Sequence, residues 1–234
     1  YAQGIYVAVG KNNCVANNSM VSIVTSPDGV SWTSRSSGTS NNLKGVAYGN
    51  GQFVAVNDYG ERLTSTDGID WALGSGGGSS ITYGNGQFVT GSNDLIFANG
   101  LFVKVGGAHS ISTSGDGTNW VSRTSGTNGS LMGVTYGNDK FIAVGSRNNH
   151  PVNNTSALYT ANILTSPDGT SWSLLTNSSF PGTVFMLREV TYGNGMFVAV
   201  GNSGEIWTSS DGTTWVSRSS GTSEALFGVT CKNC

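Results

Sequence analysis

Charge is what this sequence has least of. Of 234 residues only 10% are charged, against roughly 25% in an average soluble domain. The formal net charge is −2. Such a balance builds no basic surface for a polyanion, so nucleic acid is not an expected partner. Solubility must rest on Ser, Thr, Asn and Gly. Weak like-charge repulsion leaves self-association physically tolerated. No apolar run approaches the roughly 20 residues of a membrane helix, so no membrane span is expected. The chain starts at Tyr1 with no visible signal peptide, which fits a processed or truncated secreted protein. Cysteines number three: Cys14, Cys231 and Cys234. The last two have CxxC spacing, but neither a second pair nor nearby histidines complete a zinc site. All three are disulfide candidates: one bridge plus a leftover thiol that can pair between chains. No metal site, cofactor or catalytic motif is recognisable.

What is present is a repeat. Five segments share one pattern: SPDGVSW at 26–32, STDGIDW at 65–71, SGDGTNW at 114–120, SPDGTSW at 166–172 and SSDGTTW at 209–215. Their aspartates are Asp28, Asp67, Asp116, Asp168 and Asp211. They lie 39, 49, 52 and 43 residues apart, and 51 across the termini, one full circuit of the chain. A period in this range means blades or a solenoid. Before each Asp turn comes a second signature, as in GVAYGNGQFVAV at 45–56. Asn-Gly between apolar runs is the strongest short hairpin signal, because both central residues need positive φ.

Each repeat therefore reads as four strands, A to D, with A and B buried on both faces between neighbours. The expected fold is all-β, a single β-propeller domain over 1–234 with about five four-stranded blades. FGVT at 227–230 matches strand A and YAQGIYVAVG matches the hairpin and strand B, so the C-terminal strand is expected to join the N-terminal blade and close the ring. One irregularity is a doubled hairpin signature, ITYGNGQFVTG at 81–91 then LIFANGLFVKVG at 95–106. The first copy lacks an Asp turn and a Trp. Six blades with one incomplete is the alternative.

The Asp turn resembles the Asp-box, or BNR repeat, of sialidases and many secreted propellers. The chain also looks like the photosystem-assembly propellers of that broad superfamily, without an arginine patch to carry that role over. Asp-box propellers do many things, so the resemblance implies fold and not function. Each Asp is expected to accept turn N–H groups, and Trp32, Trp71, Trp120, Trp172 and Trp215 to pack over the hairpin with the indole N–H satisfied. A fivefold repeated residue is scaffold more naturally than site.

Function is expected where the repeat breaks. The B–C loops and D-to-A crossovers share one face, and all length variation falls there. Two B–C loops read as long, at about 11–21 and 146–161, and blade four has a long crossover at 176–189. That face offers Lys11, Tyr59, Glu61, His109, Arg147, His150, Tyr159, Arg188 and Glu205 as ligand-binding candidates. Tyrosine, amides and few charges suit a polar ligand such as a sugar. Two charges also sit within strands. Arg62 stands where other repeats have Ile23, Ile111, Ile163 and Ile206, and Lys104 where they have alanine. Each needs a partner or an exit to water.

The favoured reading is a non-enzymatic, secreted or cell-surface module, either binding a glycan or protein or forming part of a surface or fibre assembly. The alternative is a sialidase-like glycan-processing enzyme. Its material would be Arg62, Arg147 and Arg188, a Tyr59–Glu61 pair, and carboxylates among Asp58, Glu61, Glu189 and Glu205.

Overall fold

A computed structural model describes residues 1–15, 19–149, 158–175 and 186–230, with backbone alone for 12–15, 19–21, 147–149 and 158–160. It is a β-propeller with five Asp-turn blades. The chain divides into two compact units, Tyr1–Gly100 and Leu101–Cys234.

In the first unit, blade one comprises β1 (Tyr6–Val15), β2 (Ser19–Ser26) and β3 (Thr33–Ser36). Blade two runs β4 (Gly45–Gly49), β5 (Gln52–Val56), β6 (Glu61–Ser65) and β7 (Ala72–Ser75), antiparallel in that order. Next come β8 (Ser80–Gly84) and β9 (Gln87–Gly91), which form a sheet of two strands. Strand β10 (Asp94–Ala98) begins blade three, continued by β11 (Leu101–Val105), β12 (Ile111–Ser114) and β13 (Val121–Arg123). Blade four is β14 (Ser130–Gly137), β15 (Lys140–Asn149), β16 (Leu158–Ser166) and β17 (Ser173–Leu174). Blade five is β18 (Leu187–Gly193), β19 (Met196–Gly201), β20 (Ile206–Ser209) and β21 (Val216–Arg218).

The hairpin code explains the A–B pairs. Asn50, Asn85, Asn99 and Asn194 hold φ near +50°, followed by glycines at +75° to +80°. Strand B is the buried one: Phe53, Val54, Ala55 and Val56 are all buried, as are Phe141, Ile142, Ala143 and Val144. Burying one such Phe contributes about 1.5–3 kcal/mol. Strand A is only half-buried, contrary to the sequence expectation. Along one edge of blades two, four and five runs an aromatic stack, Tyr48–Phe53–Trp71, Tyr136–Phe141–Trp172 and Tyr192–Phe197–Trp215, with centroids 4.6–6.5 Å apart.

Neighbouring A strands are held close by glycine. A Cβ on Gly49 would lie 2.1 Å from the Tyr83 ring, on Gly84 the same distance from Phe97, and on Gly137 the same from Tyr192. Strand β8 thus packs between β4 and β10 as the inner strand of a blade would. The extra hairpin is a half-blade with strands A and B and no Asp turn.

Blade one has three strands, and residues 227–230 are in no strand. Among the described residues its inner edge carries only the bridge between Ala2 and Ile5. Gln3 and Gly4 take the positive-φ turn, Ala2 bridges Ile5, and the Tyr1 and Tyr6 rings lie 4.5 Å apart, as Tyr48 and Phe53 do in blade two. At the other end, Leu226 N–H donates to the Gly201 carbonyl at 2.9 Å. Leu43 to Gly10 and Leu131 to Gly106 do the same at 3.0 and 3.1 Å. Leu43 lies two residues before strand A of the next blade, and Leu131 is the second residue of such a strand.

Two B–C segments differ from the expected long loops. Strand β1 pairs with β2 out to Val15–Ser19, and β15 with β16 out to Asn149–Leu158. Backbone pairing extends the ladder where composition alone reads as loop. Among the described residues no helix is long and apolar enough to cross a membrane.

Candidate functional site

The Asp turn is the same machine five times. Asp28 Oδ1 accepts the backbone N–H groups of Val30 and Ser31 at 2.8 and 2.7 Å and the Ser26 hydroxyl at 2.9 Å. Ser26 Oγ in turn accepts the Gly29 N–H at 2.8 Å, and the Trp32 indole donates to the Gly29 carbonyl at 3.2 Å. Asp67, Asp116, Asp168 and Asp211 repeat the pattern, as do Trp71, Trp120, Trp172 and Trp215. Donors converging on the anion lower the carboxylate pKa. For Asp28 the Ser31 N–H leads and brings it to about 2; the other four move the same way, each led by a backbone N–H. Carboxylates so saturated are fasteners. The recurrent arginines act likewise: Arg35, Arg123 and Arg218 each donate Nε–H to a strand-C threonine, Thr25, Thr113 and Thr208, at 2.9 Å.

The face bearing B–C turns and crossovers is more varied. In blade two, Asn57 is buried and its Oδ1 accepts the N–H groups of Tyr59 and Glu61 at 3.0 and 3.1 Å. This places Tyr59 at the turn tip, 74% exposed. Glu61 is the first residue of β6 and receives Thr39 Oγ at 2.6 Å, Asn57 Nδ2 at 2.5 Å and Asn41 Nδ2 at 3.0 Å. Thr39 foremost among these holds its carboxyl below the usual range. Glu61 therefore clamps the crossover from blade one and is not presented beside Tyr59 as an acid–base partner. Asp58 pairs with Lys44 at 3.6 Å and accepts the Ser79 hydroxyl.

His109 sits at the turn tip of blade three, exposed, with φ +54°. The equivalent positions are Gly60 and Gly204, with φ +83° and +70°. A histidine in left-handed conformation where sister turns use glycine is a departure that stability does not favour.

Blade five brings two candidates to one turn. Arg188 donates Nε–H to Asn202 Oδ1 at 2.6 Å and lies over the Phe227 ring at 4.5 Å. Glu205, three residues beyond Asn202, accepts the Trp207 indole N–H at 2.6 Å. Beside them opens a groove of about 460 Å³, lined by Glu205, Arg218 and the hydroxyls of Ser217, Ser219, Ser220 and Thr222. Sequence reasoning missed these serines and Thr222, which belong to a repeated S-R-x-S-G-T stretch and carry no individual signal.

None of the remaining candidates is among the residues that line this groove. Lys11 is exposed on strand β1, not in a loop. Arg147 and Tyr159 are on strands β15 and β16, paired with Thr160 and Asn148, again not in a loop. His150, Cys231 and Cys234 lie outside the described residues, as does the crossover at 176–185, and the Cys14 side chain is not described. The two strand charges both find aromatic rings. Arg62 lies 5.4 Å from the centroid of Phe88, and Lys104 Nζ 3.8 Å from that of Trp120. Burial lowers the Lys104 pKa. Among the described residues no group of three His, Cys, Asp or Glu side chains is placed to hold a metal.

Sheets, hairpin glycines and the fivefold Asp turn together define a β-propeller. No family model matches the chain, and no curated protein does. Among solved structures it is similar to the computationally designed Ika8 protein, with TM-score 0.60 and 10% identity over 90% of this chain and 75% of that one. It is also similar to YCF48 bound to D1 peptide, with TM-score 0.47, 16% identity and 91% of this chain covered, spanning 62% of the YCF48 chain. A third is the GH93 α-L-arabinofuranosidase of Fusarium graminearum with arabinobiose, with TM-score 0.49 and 17% identity over 87% of this chain and 74% of that one.

Proposed function

We propose that this chain is a secreted or cell-surface binding module, not an enzyme, whose face of B–C turns and crossovers holds a polar, weakly charged ligand of the carbohydrate class. The observation that carries the reading is the groove of about 460 Å³ in blade five, walled by serine and threonine hydroxyls with Glu205 and Arg218. Neutral hydroxyls at that density exchange hydrogen bonds with a hydroxylated ligand at little desolvation cost. Glu61 and Glu205, the two glutamates of the face's turns, already hold Thr39 and Trp207 respectively. Neither is poised as a proton donor.

A glycan array followed by calorimetry on the hits tests this. Saccharide hits are expected to be lost in Ser219→Tyr, which fills the groove from an exposed position. An empty array, or hits unchanged by that substitution, overturns the reading. Turnover of fluorogenic glycosides that disappears in Glu61→Gln would replace it with the enzyme.

A further inference from the structure

The half-blade leaves one strand edge open. It consists of β8 and β9, and β9 pairs only with β8. In a two-residue Asn-Gly hairpin the pair next to the turn, here Gly84–Gln87, is hydrogen-bonded, and bonded and non-bonded pairs then alternate. Val89 and Gly91 therefore turn their backbone N–H and C=O groups to β8, while Phe88 and Thr90 turn theirs to the open side. In blade two the equivalent residues, Phe53 and Ala55, stand opposite Ser65 and Leu63 of β6. Burial reflects the missing strand. Phe53, Phe141 and Phe197 are buried, as are Ala55, Ala143 and Ala199, whereas Phe88 and Thr90 are only half-buried.

Open edges are ordinarily blunted by a charge, a proline or a bulge. Strand β9 reads QFVTG and its register is unbroken, so it carries none of these. Its protection is its position. Blade two continues outward through β6 and β7, while the half-blade stops at its second strand. At a strand spacing of about 4.8 Å, β9 is recessed behind its neighbour by on the order of 10 Å. In a second copy β9 is recessed alike, so two such edges cannot meet. A single extended segment can enter.

Arg62 defines the chemistry of that segment. In the intact pair of blades one and two, Ile23 shares a buried cluster with Ala55 and with Leu63, the strand-C residue opposite Ala55. Arg62 stands at the place of Ile23, and Thr90 at that of Ala55. The residue of an inserted strand opposite Thr90 therefore takes the place of Leu63 and meets Arg62. The guanidinium lies 5.4 Å from the Phe88 centroid. A guanidinium stacked by its face keeps its in-plane N–H donors for a carboxylate. Among the described residues no carboxylate lies within ion-pair distance of it.

We infer that β9 is a docking edge for an extended acidic peptide of a partner protein, which enters as the third strand of the half-blade. The backbone of Phe88 and Thr90 supplies the pairing, and Arg62 selects a carboxylate on the residue opposite Thr90. The probe is the capped peptide TANIETS, residues 160–166 of strand C in blade four with glutamate at the place of Leu164. Added to the full chain labelled with nitrogen-15, to about 5 mM, it is expected to shift the Phe88 and Thr90 amide signals downfield and protect them from hydrogen exchange, with a Kd on the order of 0.1–1 mM. The peptide TANIKTS is expected to bind at least about tenfold more weakly, and Arg62→Ile, which restores the residue of the other blades, to remove that preference. Thr90→Pro deletes an outward N–H without touching the ladder to β8 and is expected to abolish binding. An unchanged Tm shows that this variant folds; if it does not, the Arg62→Ile comparison decides. Three results overturn the inference: no shifts up to about 5 mM, equal affinity for the two peptides, or a Thr90 amide already protected in the free chain, which means that another segment or a second copy covers the edge.

Discussion

Replacing Gly137 by alanine tests whether blades pack as rigidly as the hairpin glycines imply. Gly137 ends strand β14 and is buried. A Cβ there would lie 2.1 Å from Tyr192 Cγ and 2.2 Å from Cδ1. Relief requires the ring or a strand to move by more than about 1 Å, since carbon atoms rest 3.5–4.0 Å apart. The ring is not free to move, because it lies 4.6 Å from Phe197, which in turn lies 6.3 Å from Trp215. Overpacking of this kind costs about 1–3 kcal/mol. For a chain of this length that is a fall in Tm of about 2–12 °C. Urea unfolding of the parent, Gly137→Ala, Tyr192→Ala and the double variant gives the assay. Removing the ring relieves the clash, so the double variant should be more stable than the sum of the singles predicts, by about 1 kcal/mol or more. Gly10→Ala is the control, with nothing within 4 Å of its Cβ, and should stay within about 0.5 kcal/mol. A Gly137→Ala variant as stable as the parent, or a strictly additive cycle, refutes the close-packed description of neighbouring A strands.

Acid should loosen all blades together. The turn aspartates have folded pKa values below the 3.8 usual for a free aspartate, with Asp28 brought to about 2. Their contribution is therefore present above the unfolded pKa and lost as pH falls through the folded values. Tm followed by circular dichroism should be flat with respect to this effect above about pH 5 and fall steeply between about pH 4 and 2; a Tm unchanged down to that limit contradicts the fastener role. His109→Gly should raise stability by up to about 1 kcal/mol, because glycine accepts the left-handed backbone without cost. A decrease would mean that the imidazole makes a stabilising contact at the turn tip.

The repeat, its four-stranded unit and the Asp-turn hydrogen bonds were all legible in the chain, because each is dictated within a dozen residues. Asn-Gly sets a hairpin, and an aspartate two residues before two free N–H groups binds them. Loop length was not legible in the same way. Residues 11–15 and 146–149 are polar and asparagine-rich, yet they continue the ladders of β1 and β15, since cross-strand pairing satisfies the backbone regardless of side-chain polarity. Candidate residues suffered for the same reason. Tyr59 and Glu61 are two apart in sequence, but one points to solvent and the other is bound by Thr39, Asn41 and Asn57. Thr39 and Asn41 arrive from about twenty residues away.

Arg62 and Lys104 mark the boundary between the two kinds of information. Sequence alone identified them as charges at apolar positions of a repeat, a local comparison that needs no coordinates. Only the tertiary structure supplied Phe88 and Trp120 as their partners. Likewise the chain showed that one hairpin lacks an Asp turn, while only packing revealed which neighbouring face that lack uncovers. Local hydrogen-bond chemistry is written in consecutive residues, whereas burial depends on which strands the fold sets side by side.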